Sequence, residues 1–238
     1  MHRLYVVHGS HPCAAAERAL QLKGLPYRVT ELPPPAHAAI MRARFGRRTV
    51  PALRLDGGEV VHGSSAIFRR LDALAPEPSL RTADPAIAAA ETWGDEVWQP
   101  VARRLLWPAF QARPEAMAGF QEGSRLPAFP LPVLKAIAPV ATRIERRLNA
   151  AVPAAVRADL QALDVHLDRI DGWLADGTLT TDGTPSAADL QIASTTRLLL
   201  TIGDVRGQID ARPAGAHARA HFEHVPGDVP EGALAAYR

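Results

Sequence analysis

The sequence predicts two parts: an α/β domain of order β-α-β-α-β-β-α over residues 1–76, and an all-α domain over residues 84–238. Three observations carry this. Short β-rich runs alternate with helical stretches only in the first part, an Asp-Gly pair lies between two apolar runs, and no convincing strand follows Asp84-Pro85.

The elements of the first part can be taken in order. Arg3-Leu4-Tyr5-Val6-Val7-His8 is β-rich and ends at Gly9, as a strand should. Pro12 suits the first turn of a helix, which Ala14 to Lys23 continues until Gly24 stops it. Tyr27 to Leu32 alternates as a second strand, Pro33-Pro34-Pro35 breaks the chain, and a short helical stretch follows to Phe45. Pro51-Ala52-Leu53-Arg54-Leu55 and Glu59-Val60-Val61 flank Asp56-Gly57-Gly58, a strong hairpin signal. Ser64 to Leu74 closes the domain with Ile67, Leu71 and Leu74 on one helical face.

Pro76-Glu77-Pro78 reads as a linker. Beyond it, Ile87, Gly94, Val97, Val101 and Leu105 form the stripe of a first long helix. Val156, Leu160, Leu163, Leu167, Ile170 and Leu174 recur at alternating steps of four and three, the pattern of a single amphipathic helix. Residues 107–140 are proline-rich and read as an irregular excursion or a broken helix, and the tail from Val225 as extended.

Composition excludes several classes. The 238 residues are 47% hydrophobic and 22% charged, enough for a sizeable core. No apolar run approaches the ~18 residues that a membrane span needs, and the start lacks the pattern of a secretory signal. A single cysteine excludes a disulfide scaffold and any multi-cysteine metal site. The expectation is a soluble, cytoplasmic protein that binds neither membrane nor nucleic acid. The net charge of +2 divides unevenly: residues 1–80 hold 11 Lys/Arg against 6 Asp/Glu, and the remainder is net acidic. A mildly basic first domain suits a small anionic ligand.

Several local motifs, in this order, resemble the glutathione S-transferase family. Leu4-Tyr5 followed by Ser10-His11-Pro12-Cys13 is similar to its first strand and thiol-site loop, and Lys23-Gly24-Leu25-Pro26-Tyr27 to its helix end and second-strand start. Thr49-Val50-Pro51-Ala52-Leu53 resembles the Val-Pro step that the family keeps in cis, and Ser64-Ser65-Ala66-Ile67 the segment that captures the γ-glutamyl end of glutathione. Pro185 to Leu190 resembles the N-capping box of a buried helix in its second domain. The resemblance implies a thioredoxin-like first domain, glutathione (or another low-molecular-weight thiol) as cosubstrate, a small electrophilic second substrate, and a homodimer.

It also assigns roles. Ser10 falls where the family keeps its thiol-activating residue, while Cys13 falls at the second cysteine position of a glutaredoxin-type C-x-x-C, so the catalytic candidates are Ser10 and Cys13. Ligand-binding candidates are His11, Arg48 (or Arg47, either for the glycyl carboxylate), the Val50 backbone, Pro51, Ser64 and Ser65. The chain departs from the family in placing Gly63, not an acid, before Ser64. Trp93, Trp98, Arg103, Arg104 and Trp107 are candidates for the electrophile's pocket. Alternatives are a thiol-disulfide oxidoreductase using Cys13, or a non-catalytic ligand-binding or interaction protein on the same fold. His217, His221 and His224 share a helical spacing that a zinc site would use, but no carboxylate motif accompanies them, so no metal is expected.

Overall fold

The computed structural model describes residues 1–34, 36–224 and 227–238; Pro35 of the triple proline and the start of the tail, Val225-Pro226, lie outside the described residues. The chain opens with β1 (His2–Val6), α1 (His11–Leu22), β2 (Tyr27–Glu31), α2 (His37–Phe45), β3 (Ala52–Arg54), β4 (Val60–His62) and α3 (Ser64–Leu74). One mixed sheet of order β2-β1-β3-β4 results, with β1 parallel to β2 and antiparallel to β3. This is the expected thioredoxin-like order. The Asp56-Gly57-Gly58 turn closes the β3–β4 hairpin, with Leu55 N–H donating to Glu59 O at 2.8 Å.

Alternation along β1 divides the core. Leu4 and Val6 face α1 and α3 and join the main cluster. Tyr5 points to the opposite face and packs with Leu32, Met41 of α2 and Ala52, which makes it a core tyrosine.

The helical region comprises α4 (Pro85–Trp93), a π-helical turn at Gly94–Trp98, α5 (Gln99–Ala112), a 3-10 helix at Pro114–Gln121, α6 (Leu131–Leu148), α7 (Pro153–Gln161), α8 (Leu163–Ala175), α9 (Ala187–Leu199), α10 (Gly203–Asp210) and α11 (Pro213–His221). Every residue of α9 is buried. The helix packs against α1, α4, α5 and α11 and joins the two regions.

Two expectations are corrected and a third is narrowed. The first long helix carries the π turn, and its extra residue moves the buried stripe from Val97 to Trp98, which is fully buried. Gly94 sits in that turn against α9, where an added Cβ would meet Gln191 Cγ at 2.9 Å. The single helix expected over residues 156–174 is two helices that break at Ala162. The stretch 107–140 combines both readings: α5 and α6 run through Pro108 and Pro139, and between them a 3-10 helix is followed by irregular chain over 122–130.

Lys23 clasps the junction. Its side chain is buried and its three ammonium donors are all used, by Asp72 Oδ1 (2.6 Å), Ala75 O (2.7 Å) and Pro78 O (2.6 Å). Burial pushes the Asp72 carboxyl up, but Lys23 and the donors of Leu80 and Thr82 outweigh it, so it lies below its usual value.

Candidate functional site

Sheet register gathers the expected ligand-binding residues at one end. Tyr5 pairs with Ala52 and Ala52 with His62. The segments just beyond these pairs, Val7–Ser10, Val50–Pro51 and Gly63–Ser64, therefore emerge together. Gly63 N–H donates to Pro51 O at 2.9 Å, which fixes two of them to each other. The Val50-Pro51 bond is cis, as the resemblance implied.

Two helix N-termini point into this end. Ser10 is the N-cap residue of α1, half-exposed, and its hydroxyl makes no capping bond. The N-cap of α3 is Gly63 (φ +84°), which has no side chain to cap with. The first helical bond of α3 runs from Ile67 N–H to Gly63 O at 3.1 Å, so the amides of Ser64, Ser65 and Ala66 are left without a carbonyl within the helix. Such a terminus accepts a carboxylate. Ser64 itself is 3% exposed. The Ser65 hydroxyl accepts from Arg69 Nη2 at 2.8 Å, and Arg69 also reaches the buried Glu91 of α4 at 3.2 Å.

The other candidates separate. Cys13 is 3% exposed, in the third position of α1. Burial pushes its thiol up to about 11, only partly offset by Ser10 and the backbone of Val7. A thiol so placed favours its protonated form at neutral pH. His11 is 6% exposed and is enclosed rather than presented to the site; burial first, and then the charge of Arg103, lower its pKa to about 3. Its Nε2 has no partner. Arg47 and Arg48 are exposed beside Val50, and the charge of Arg48 reaches Glu145 of α6.

A feature not anticipated from the sequence lies over the Ser10 loop. The segment after α5 crosses back to the sheet: His8 Nε2 bonds Glu122 O at 2.7 Å, Arg125 N–H donates to Glu31 Oε2 at 2.9 Å, and Ser124 Oγ bonds Glu31 Oε1. Phe120 lies against Gly9, where an added Cβ would stand 3.8 Å from its ring.

The expected capping box is present. Ser186 Oγ accepts from Asp189 N–H at 3.2 Å, and Asp189 Oδ2 accepts from Ser186 N–H at 2.8 Å. His217 and His221 converge on it from α11, and one ligating atom from each of the three residues lies within 4.8 Å of the others. His224 is not among them; it lies beyond the end of α11, exposed. These atoms are already hydrogen-bonded: His217 Nε2 to Asp189 Oδ1 at 2.9 Å, and His221 Nε2 to Thr180 O at 2.6 Å. The cluster ties α11 to the start of α9.

Among the described residues no helix is long and apolar enough to cross a membrane. Residues 4–79 match the model of the glutathione S-transferase N-terminal domain. No curated protein matches the chain in sequence. Among solved structures, a glutathione S-transferase from Rhodospirillum rubrum F11 is 21% identical, covering 93% of this chain and 86% of its own, with a TM-score of 0.57. A beta-etherase from Sphingobium sp. strain SYK-6 is also 21% identical, with 93% and 98% covered and a TM-score of 0.59. A glutathione transferase from Methylobacillus flagellatus KT with glutathione bound is 16% identical, with 100% and 98% covered and a TM-score of 0.58. At these identities the likeness is one of fold.

Proposed function

We propose that this chain, which belongs to the glutathione S-transferase family through its N-terminal domain, binds reduced glutathione at the gathered sheet end and activates its thiol at Ser10. The observation that carries the choice of Ser10 over Cys13 is the contrast between a half-exposed hydroxyl at the start of α1, which makes no capping bond, and a buried thiol three residues on, pushed up to about 11.

In this reading the γ-glutamyl carboxylate meets the uncapped amides of α3, and the Val50 backbone pairs with the extended peptide. No backbone hydrogen bond outside the strands uses Val50 among the described residues. Arg48 or Arg47, exposed beside Val50, takes the glycyl carboxylate. The Ser10 hydroxyl donates to the thiolate and so favours the charged form, and the positive end of α1 adds to this. The thiol proton goes to solvent, a sulfur–carbon bond forms at the electrophile, and the leaving group departs with its electron pair.

Calorimetric titration with reduced glutathione tests binding, with a saturable dissociation constant of about 1 mM or tighter as the expected result. Ser10→Ala then lowers kcat/KM for a model electrophile about a hundredfold, whereas Cys13→Ser leaves it within about threefold. Loss of activity in Cys13→Ser with retention in Ser10→Ala would reverse the assignment in favour of thiol-disulfide exchange.

A further inference from the structure

Gln99, Arg103 and Trp107 succeed one another at four-residue steps along α5, and Phe110 follows at three, so all four share one face. At its N-terminal end Asp95 Oδ1 accepts from Gln99 Nε2 at 3.0 Å and from Gln191 Nε2 at 3.1 Å. At the far end Trp107 meets Phe110 edge-on at 5.7 Å, and Phe110 meets Phe120 at 4.8 Å. Phe120 is the residue lying against Gly9, one position before Ser10. This face therefore leads from a buried amide–carboxylate cluster to the loop that holds the catalytic candidate.

Arg103 stands in the middle of it, half-buried. Among the described residues it has no carboxylate oxygen within 4.0 Å and no hydrogen bond. Its neighbour Arg104 is the opposite case, with Nε and Nη2 fixed to Asp159 at 2.6 and 2.8 Å. Two carboxylates, Asp95 and Glu145 of α6, act on the Arg103 charge without pairing with it. Asp95 Oδ1 is already shared between two amides, and Glu145 Oε2 accepts from Asn149 Nδ2 at 3.3 Å. His11, whose buried Nε2 has no partner, lies in the same field. A guanidinium stays charged at neutral pH. With its planar set of donors unspent, it is the group best shaped for a carboxylate, and its partial burial strengthens that attraction.

We propose that Arg103 is an anion-binding residue on the face of α5 that leads to the Ser10 loop. The ligand class it takes there is an aryl carboxylate, with the carboxylate on Arg103 and the ring against Trp107 and Phe120. That this ligand is the second substrate rests on the thiol site proposed above; the binding itself does not.

The test is therefore run without glutathione, as quenching of tryptophan fluorescence by two matched probes, dinitrobenzoate and neutral dinitrobenzene. Wild-type protein is expected to bind the anionic probe at least about tenfold more tightly. Arg103→Gln is expected to abolish that preference, and Arg103→Lys, which keeps the charge but not the planar fork, to retain part of it. Equal binding of the two probes by the wild type, binding of neither, or a preference that survives in Arg103→Gln overturns the proposal. A parallel glutathione titration of the wild type separates the two readings: absence of glutathione binding with the anion preference intact overturns the thiol reading alone.

Discussion

Three helix starts in this molecule contrast with one another. At α9 the N-terminus is closed: Ser186 and Asp189 cap each other, Thr180 N–H donates to Asp189 Oδ1 at 2.8 Å, and His217 adds a fourth donor. At α1 a residue of the same type, Ser10, holds the same position and makes no cap, and at α3 the position is Gly63. The closed terminus lies in the core, and the two open ones lie at the end of the sheet where the ligand-binding candidates converge. An uncapped N-terminus keeps its amides and its positive end for another partner. The difference separates a serine spent on capping from one whose helix start is left open.

The largest effect that sharpens this contrast is Asp189→Ala. It strands the donors of Thr180, Ser186 and His217 in the core and is expected to lower unfolding free energy by about 3 kcal/mol or more, read from urea denaturation. The direction of the Asp189 pKa agrees: burial pushes it up, but the donors of His217, Ser186 and Thr180 outweigh this and hold it below its ordinary value. Its stabilisation is present above the ordinary carboxylate value and is lost as pH falls toward the lower folded one.

The next effect is pH-dependent and belongs to His11. Its pKa is 6.5 in the unfolded reference and about 3 when buried. Between these values the unfolded chain holds a proton that the folded chain does not. Stability is therefore lost as pH falls through this window, by up to about 1.4 kcal/mol per pH unit. Denaturation midpoints from about pH 7 to about pH 4 should show the slope, and His11→Gln should flatten it.

The smallest effect compares the two serines directly. Ser186→Ala should cost about 1 kcal/mol of stability. Ser10→Ala should stay within about 0.5 kcal/mol, since no capping bond is lost. Equal costs would break the comparison and make Ser10 an ordinary cap.

What was legible in the sequence was local chemistry. Asp56-Gly57-Gly58 fixes its hairpin through the turn itself, and Ser186 and Asp189 form their box within one turn of helix. Ser10, Val50 and Ser64 could be placed by motif, and sheet register then brought their segments together. What was not legible depends on partners distant in sequence. The π turn at Gly94–Trp98 is seated by Gln191 and Ile192 of α9, and periodicity within one helix cannot show it. The regular spacing of His217, His221 and His224 suggested a shared face, yet α11 ends at His221 and the third member of the cluster is Asp189, 28 positions from His217. The isolation of Arg103 is likewise visible only beside the engagement of Arg104, because adjacent residues on a helix face different surroundings.

The Lys23 clasp has a practical consequence. The chain contains only two lysines, Lys23 and the exposed Lys135 on α6. Acylating reagents can reach Lys135 and the half-exposed amino terminus directly, whereas the Lys23 amine is wrapped by one carboxylate and two carbonyls. A third acyl group on the intact protein, counted by mass, therefore records that the end of α1 has parted from α3 and the segment that follows it. The molecule carries its own reporter for that event, with no residue introduced.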